Sequence, residues 1–175
     1  MCGNCRAGPT ISNVRLMLRP HCLASERIVL PGAEGDRLLA TAMERSYEHT
    51  LDCPALCGMR DVRDVLESHR AVGVFDPKLW YLVMSGHRAE GCMLLSAVPA
   101  SESVELVYLG LGPSLRGKGV GRGLLTLAIA RLAGRRERSL ACAVDAQNGP
   151  ALTLYRAMKF RRFALRTALV CPLRD

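Results

Sequence analysis

A glycine-rich segment in the second half of the chain has the composition of an anion-binding turn. Residues 116–123 have the sequence Arg-Gly-Lys-Gly-Val-Gly-Arg-Gly, and they lie between an apolar stretch and a helical pattern. Backbone N–H groups at a helix N-terminus have no intrahelical partner, and glycine lets a ligand approach them closely. Arg116, Lys118 and Arg122 add positive charge. These residues predict a pyrophosphate site; the alternative is a tight turn with a basic rim.

Two common nucleotide-binding motifs do not match this segment. A Walker A loop needs Ser or Thr directly after Gly-Lys, but Gly119 follows Lys118 and has no hydroxyl for Mg²⁺. The dinucleotide fingerprint G-x-G-x-x-G begins at Gly117 and Gly119, but Arg122 stands where the third glycine is required. The spacing therefore argues against both kinds of nucleotide site.

The spacing that does match is R-x-x-G-x-G, formed by Arg116, Gly119 and Gly121. With this motif the chain resembles the GCN5-related N-acetyltransferase (GNAT) superfamily, in which the loop binds the pyrophosphate of acetyl-coenzyme A (acetyl-CoA). A second stretch is similar to the family's other signature, an Asn before a helix with Leu-Tyr and a closing Phe. Its members are Asn148, Ala151, Leu154, Tyr155 and Phe160. The likeness covers roughly residues 12–170.

The resemblance implies a reaction and roles for individual residues. Glu105, an ionisable residue on an otherwise apolar strand, would deprotonate the acceptor directly or through water. Tyr155 would donate a proton to the sulfur of the leaving coenzyme A (CoA). The alternatives are a Glu105 side chain that points to solvent and a Tyr155 ring that packs in the core. The residues expected to bind the cofactor are Leu109, Leu111, Arg116, Gly117, Lys118, Gly119, Val120, Gly121, Arg122 and Asn148.

The same resemblance places the acceptor beside the loop of residues 48–60. This loop contains Glu48, His49 and Asp52, and it should wall the acceptor pocket together with the hairpin and the last strand. We expect acetyl transfer from acetyl-CoA to a primary amine of a small molecule or peptide, by direct attack in a ternary complex. The partners expected are acetyl-CoA and the amine, with no membrane, and the protein is expected to be a monomer or homodimer.

Hydrophobic periodicity predicts the elements that must position these residues. Strands are expected at residues 13–18, 27–30, 79–84, 91–98, 104–111, 139–144 and 160–170, and helices at 34–47, 61–70, 121–133 and 148–158. Asp61 and Asn148 are suitable N-caps. This order predicts an α+β fold, an α/β sandwich of the acyl-CoA N-acyltransferase type. Its mixed, mainly antiparallel central sheet would be flanked by about four helices.

The chain departs from the family pattern at its C-terminal end. Lys159 stands where the family commonly has glycine before the Phe, so the preceding helix must end on a non-glycine residue or in a different turn. Only fifteen residues follow Phe160, which is short for the usual closing pair of strands. We therefore expect either that one edge strand is missing or that the N-terminal segment around Ile28 to Leu30 replaces it.

Charge is distributed unevenly along the 175 residues, whose formal net charge is +8. From Leu111 onward there are thirteen basic and three acidic residues, a net charge of +10, whereas the first 110 residues carry −2. This pattern favours an anionic partner for the second half, with a solvated basic surface as the alternative. The slightly acidic first half would suit a cationic amine.

Composition excludes several classes of protein. Because 49% of the residues are hydrophobic and 23% are charged, the chain is expected to be globular rather than disordered. We predict one acetyltransferase domain over residues 11–175 after a disordered N-terminus of residues 1–10. No apolar run approaches the length of about 18 residues that a spanning helix needs, and the first ten residues lack the apolar core of a signal peptide. A cytoplasmic location is the default expectation.

The eight cysteines do not form the pattern of a small secreted disulfide scaffold. Cys2, Cys5, Cys53 and Cys57 are possible zinc ligands by type, but the spacing between the two pairs matches no familiar zinc site, and we expect no metal.

Two other function classes remain open at this point. A non-catalytic domain that binds acyl-CoA as a sensor would share the same loop. A basic nucleic-acid-binding module is less favoured, because aromatic residues are sparse in the basic half: Tyr155, Phe160 and Phe163.

Overall fold

The fold is taken from a computed structural model that describes residues 6–17 and 32–170. Within these residues, a mixed six-stranded sheet is flanked by four α-helices, which confirms the predicted fold class. The strands are β1 (Arg6–Met17), β2 (Trp80–Ser85), β3 (Arg88–Val98), β4 (Ser103–Leu111), β5 (Ser139–Asp145) and β6 (Arg161–Val170). The helices are α1 (Gly32–Tyr47), α2 (Val62–Arg70), α3 (Val120–Leu132) and α4 (Gly149–Ala157).

The strands are ordered β2-β3-β4-β5-β1-β6. All neighbouring pairs are antiparallel except β4 and β5, which are parallel. This parallel pairing is short, because it joins only Ser103–Glu105 to Ser139–Ala141. After Glu105, the edge of β4 that faces β5 has no strand partner among the described residues. The two strands therefore leave a gap beside the C-terminal half of β4.

Two hydrophobic clusters hold the helices on opposite faces of the sheet. One contains Leu125 of α3 and Tyr155 of α4, and the other contains Leu39 of α1 and Leu66 of α2. A fully buried leucine contributes about 1.5–3 kcal/mol relative to an exposed one. Helix α3, which follows the glycine-rich loop, and helix α4, which carries Tyr155, are thus fixed on the same face of the sheet, beside the gap. None of the helices in the described ranges has both the length and the apolar composition for a membrane crossing.

Local capping signals place two of the helices as predicted. The side chain of Asp61 accepts a hydrogen bond from the N–H of Arg63 at 2.7 Å, at the start of α2. The side chain of Asn148 accepts from the N–H of Ala151 at 3.2 Å, at the start of α4. Such caps satisfy N–H groups that the helix itself leaves free. Both predicted N-caps are confirmed.

The end of α4 confirms the expectation that a non-glycine residue ends this helix. Lys159 adopts a left-handed conformation with φ of 68°. Its N–H donates to the carbonyl of Arg156 at 3.0 Å, and the N–H of Phe160 donates to the carbonyl of Tyr155 at 2.9 Å. These two bonds form a Schellman motif, in which glycine is the usual left-handed residue. The rings of Tyr155 and Phe160, with centroids 5.3 Å apart, make its accompanying hydrophobic contact.

The N-terminal strand differs most from the sequence-based expectation. β1 begins at Arg6 rather than Asn13, so it includes residues 6–10 of the segment that we predicted to be disordered. It lies between β5 and β6 and is antiparallel to both. An N-terminal segment does complete this side of the sheet, but it is β1. The predicted strand around Ile28 to Leu30 lies outside the described residues.

Candidate active site

The glycine-rich loop (residues 116–123) connects a short 3₁₀ turn, Pro113–Leu115, to α3. Gly117 and Gly119 have φ values of 71° and 78°, which glycine adopts readily and other residues do not. Gly119 is the N-cap of α3, and no atom lies within 4 Å of the position that a Cβ would take there. The loop therefore presents open space beside the first N–H groups of α3, as a bound pyrophosphate requires.

Arg116 holds this loop against the rest of the fold. Its Nε donates to the carbonyl of Leu111 at 2.9 Å, and its two terminal nitrogens donate to the carbonyls of Ser46 and His49 at 2.8 and 3.1 Å. One guanidinium thus joins the end of β4 to the C-terminus of α1. Arg116 lines the predicted site, but its guanidinium donates to backbone carbonyls of the protein itself. Arg122 also lines the site, and its guanidinium forms no ion pair or hydrogen bond with a described residue.

A cavity of about 760 Å³ lies beside the gap between β4 and β5. Its walls are the end of α1 with the following loop, the C-terminal half of β4, the glycine-rich loop, and α4. It brings together Tyr155 and nine of the predicted cofactor residues: Leu109, Leu111, Arg116, Gly117, Gly119, Val120, Gly121, Arg122 and Asn148. Lys118 is exposed on the rim and does not line the cavity.

Tyr155 lies at the inner wall of this cavity. It is 7% exposed, and burial raises the pKa of its phenol well above the ordinary value. The nearby Cys142 thiol adds to this rise, while burial raises the pKa of Cys142 itself to about 12. The phenol is therefore neutral at physiological pH and can donate a proton or hydrogen bond into the cavity.

Glu105 lies outside the lining of the cavity. It is half-buried on β4, opposite Ser96 of β3 and Ala141 of β5, in the last parallel pair before the strands separate. The structure thus puts Glu105 at the closed end of the gap, whereas the glycine-rich loop lies at the open end. A route from this carboxylate to a substrate in the cavity would need an intermediary such as water.

The predicted acceptor wall is partly present. His49 and Asp52 line the cavity, and Asp52 is the only Asp or Glu among its described lining residues. Glu48 does not line it and instead forms an ion pair with Arg45. The Oδ1 atom of Asp52 accepts a hydrogen bond from the N–H of Asp145 at 2.9 Å. This bond ties the loop of residues 48–60 to the end of β5.

Tyr108 is a cavity residue that sequence reasoning missed. Its hydroxyl lies 2.5 Å from Oγ of Ser46, and that serine hydroxyl donates to the carbonyl of Met43 at 2.7 Å. Because the Ser46 hydroxyl already donates to the carbonyl of Met43, Tyr108 is the donor in its hydrogen bond with Ser46. Burial raises the pKa of Tyr108, so its phenol also stays neutral. The one feature of the sequence that could have indicated this residue is its phenol, which stands next to Leu109 in an apolar strand.

The described residues contain no group of three or more His, Cys, Asp or Glu side chains that could hold a metal ion. Cys53 and Cys57 lie in the loop of residues 48–60, and burial raises the pKa of Cys53 to about 12. Cys2 and Cys5 lie outside the described ranges, so a four-cysteine site is not tested.

Comparison with known proteins agrees with this geometry. The profile of the acetyltransferase (GNAT) family matches residues 43–160. A mycothiol acetyltransferase of Streptomyces scabiei is 28% identical over 77% of this chain and 42% of its own length. One of Streptomyces bingchenggensis is 33% identical over 61% of this chain and 34% of its own. The chain thus spans less than half the length of these curated relatives.

Solved structures share the fold at low sequence identity. A GCN5-related N-acetyltransferase from Sphaerobacter thermophilus superposes with a TM-score of 0.63 and 19% identity, over 98% of this chain and 55% of that one. The ribosomal-protein-S18-alanine N-acetyltransferase of Escherichia coli has a TM-score of 0.57 and 15% identity, over 87% of this chain and 79% of that one. The family profile covers well over half of the sequence, and the fold and loop agree with it: the chain belongs to the GNAT family of acetyltransferases.

Proposed function

We propose that this protein transfers the acetyl group of acetyl-CoA to a primary amine of a small molecule or peptide, by direct attack in a ternary complex. One observation carries the proposal: a single cavity is lined both by the glycine-rich loop and by the loop of residues 48–60. A donor held at the first loop and an acceptor at the second would share one space. Such proximity replaces an encounter between two free reactants and supplies much of the rate enhancement of a transferase.

The proposed chemistry uses groups on three walls of the cavity. The N–H groups at the start of α3 and the Arg122 side chain would hold the pyrophosphate. The backbone N–H of Leu109 would polarise the thioester carbonyl, and Leu111 would pair with the pantetheine arm. Asp52 would attract the ammonium group of the acceptor, since it carries the one carboxylate among the described residues that line the cavity. Glu105 would take up the ammonium proton through water. The neutral amine then attacks the thioester carbonyl, the carbon–sulfur bond breaks, and Tyr155 protonates the leaving thiolate. The second proton that the amine nitrogen loses would return to Tyr155 through water.

The relatives' name suggests which acceptor chemistry to test first. Two Streptomyces proteins similar to this chain are mycothiol acetyltransferases. We propose an acceptor of mycothiol type as the first candidate, ahead of polyamines, amino acids and peptides. The acidic wall at Asp52 is compatible with any acceptor whose amine is protonated at neutral pH.

A pair of glycine variants tests the donor site. Gly119 and Gly134 both have positive φ values, 78° and 85°, and neither has an atom within 4 Å of a would-be Cβ, but only Gly119 lines the cavity. Gly119→Ala and Gly134→Ala should each lose about 1–2 kcal/mol of stability. Only Gly119→Ala should also weaken acetyl-CoA binding, measured by calorimetry, by at least tenfold. Equal acetyl-CoA affinity in both variants would contradict the proposed donor site.

Release of CoA thiol separates an enzyme from a sensor. With acetyl-CoA and a panel of amines, the wild-type protein should release thiol and form the acetylated amine, detected by mass spectrometry. Binding of acetyl-CoA without thiol release for any amine would instead support a non-catalytic acyl-CoA sensor.

A further inference from the structure

A second cavity, of about 310 Å³, shares Tyr155 as a lining residue with the large one. Its walls come from β1, from α4 and from the start of β6, and the residues that matter here are Ser12, Tyr155, Arg156 and Arg162. No Asp or Glu is among its described lining residues. It is therefore a small concave site with positive charge at its edge.

Ser12 contributes a hydroxyl to the lining of this cavity. It is 1% exposed, and no hydrogen bond joins its side chain to another described residue. Because Ser12 lines the cavity, its hydroxyl can donate a hydrogen bond to a ligand there.

Arg156 and Arg162 bring two guanidinium groups to the same cavity, and neither forms an ion pair or side-chain hydrogen bond with a described residue. Other arginines of this fold are paired: Arg135 with Glu137, and Arg138 with Glu102. Arg156 lies in the last turn of α4, where a cation is favourable to the helix dipole. That effect does not account for Arg162, which is on a strand.

We propose that this second cavity binds a phosphate group through Arg156, Arg162 and the Ser12 hydroxyl. Guanidinium groups donate parallel hydrogen bonds to phosphate oxygens, and a serine hydroxyl adds another donor. A dianion would also offset the repulsion between two neighbouring cations. The phosphate can come from a free phosphate compound or from the 3′-phosphate of CoA, because the chemistry of recognition is the same.

The position of Tyr155 links this cavity to the proposed acetyl transfer. The same side chain forms a wall of both cavities. A phosphate that contacts Tyr155 from the second cavity would restrict a side chain that also lines the large cavity. Occupancy of the second cavity should therefore change the affinity for acetyl-CoA, and by thermodynamic linkage acetyl-CoA should change the affinity for phosphate equally.

Binding of inorganic phosphate, measured by calorimetry at constant ionic strength, tests the proposal. The glycine-rich loop is first saturated with 3′-dephospho-CoA, so that the phosphate has only the second cavity left. Arg156→Ala/Arg162→Ala should weaken phosphate binding by at least tenfold, and Ser12→Ala should weaken it by about threefold. Arg161→Ala and Arg166→Ala remove exposed arginines from the same strand outside the cavity, and they should bind phosphate as the wild type does.

A second arm identifies the source of the phosphate. If CoA fills the cavity with its own 3′-phosphate, saturation with CoA should abolish phosphate binding, and the double variant should lose affinity for CoA but not for 3′-dephospho-CoA. If the ligand is a free compound, phosphate should still bind in the presence of CoA. Wild-type protein that binds no phosphate in either arm, or a double variant that binds it equally well, would overturn the inference.

Nuclear magnetic resonance keeps this test independent of the proposed function. Addition of phosphate should shift the Nε–Hε signals of Arg156 and Arg162, assigned from the single variants, and leave that of Arg161 in place. These shifts are readable even if the protein binds neither CoA nor its dephospho form, a result that would contradict the acetyltransferase proposal alone. Unchanged signals for Arg156 and Arg162 would contradict the phosphate site alone.

Discussion

Asp52 and Asp145 hold two segments of the chain together by side-chain to backbone hydrogen bonds in both directions. The Asp52 carboxylate accepts from the N–H of Asp145 at 2.9 Å, and the Asp145 carboxylate accepts from the N–H of Cys53 at 3.1 Å. Asp145 is 4% exposed, whereas Asp52 reaches the large cavity. The exchange fixes one carboxylate in the wall of the cavity without an ion-pair partner among the described residues.

Asp52→Asn should weaken binding of a cationic acceptor. Asparagine keeps the oxygen that accepts from Asp145, so the loop should stay in place while the charge is lost. We expect the KM for a protonated amine to rise about three- to tenfold, since an exposed charge pair contributes about 1 kcal/mol. Steady-state kinetics at saturating acetyl-CoA measure this change.

Glu48→Gln is the matched control for Asp52→Asn. Glu48 belongs to the same loop, but it pairs with Arg45 and does not line the cavity. Its KM for the amine should match that of the wild type. Asp52 would lose its proposed role if both variants had the same KM, or if a neutral, weakly basic amine such as hydroxylamine were affected as strongly as a protonated one.

Glu105→Gln should lower kcat, because the amide cannot accept a proton. General-base catalysis contributes about 10²–10⁴-fold, and we expect a loss in the lower part of this range for a water-mediated route. The affinity for acetyl-CoA should stay the same because Glu105 lies outside the cavity lining. A wild-type kcat in this variant would remove Glu105 from the mechanism.

Tyr155→Phe should lower kcat by about 10²-fold at an unchanged KM for acetyl-CoA, because the ring remains while the proton donor is lost. Burial raises the pKa of this phenol, since it disfavours the charged phenolate. The acid form thus persists as pH rises, and Tyr155 should cause no loss of wild-type activity below about pH 10. Full activity of the variant would show that Tyr155 is a core aromatic.

Arg116 and Arg122 should differ in what their loss affects. Arg116→Ala removes the donor to the carbonyls of Leu111, Ser46 and His49, and we expect a loss of about 3 kcal/mol, or a Tm lower by roughly 5–10 °C. Arg122→Ala should leave Tm within about 1 °C of the wild type, because the side chain is exposed, and should weaken acetyl-CoA binding about tenfold.

Differential scanning calorimetry and acetyl-CoA titration on both arginine variants distinguish these roles. Our assignment of Arg116 as the residue that holds the loop fails if its alanine variant melts with the wild type and loses only acetyl-CoA affinity.

Lys159→Gly should stabilise the protein. Lys159 has φ of 68° in the Schellman motif that ends α4, a conformation that costs a residue with a Cβ about 1–2 kcal/mol. Relief of about 1 kcal/mol would raise Tm by about 2–4 °C in a chain of this size. Lys159→Ala keeps the cost while removing the charge, so its Tm should not rise. Equal melting temperatures for the two variants would show that the turn is not strained.

The parts of the structure that the sequence predicts well are those decided by near neighbours. Asp61 and Asn148 cap their helices through bonds to residues two and three positions away, so both helix starts were visible in the sequence. The glycine-rich loop depends on one strand–loop–helix connection, from β4 to α3. These short-range relationships are also the ones that carry the family resemblance.

The features that the sequence did not reveal depend on distant partners. Arg116 donates to the carbonyl of Ser46, 70 positions away, and no local pattern marks that carbonyl. A charge on an apolar strand is unusual, and for that reason the sequence indicates Glu105 as a site residue. Its position at the closed end of the gap is not visible in the sequence, because the point at which β4 and β5 separate depends on the whole sheet. The register that pairs Ile11 with Asp145 is likewise not encoded in either segment alone.

The position of β1 between β5 and β6 constrains the order in which the sheet can form during synthesis of the chain. Residues 6–17 are synthesised before the other strands that the structure describes, whereas their partners at residues 139–145 and 161–170 are the last of these strands to be synthesised. Until then the first strand has both edges open, and contacts so distant in sequence form slowly. The half of the sheet that walls the second cavity can therefore close only after residues 161–170 have been synthesised.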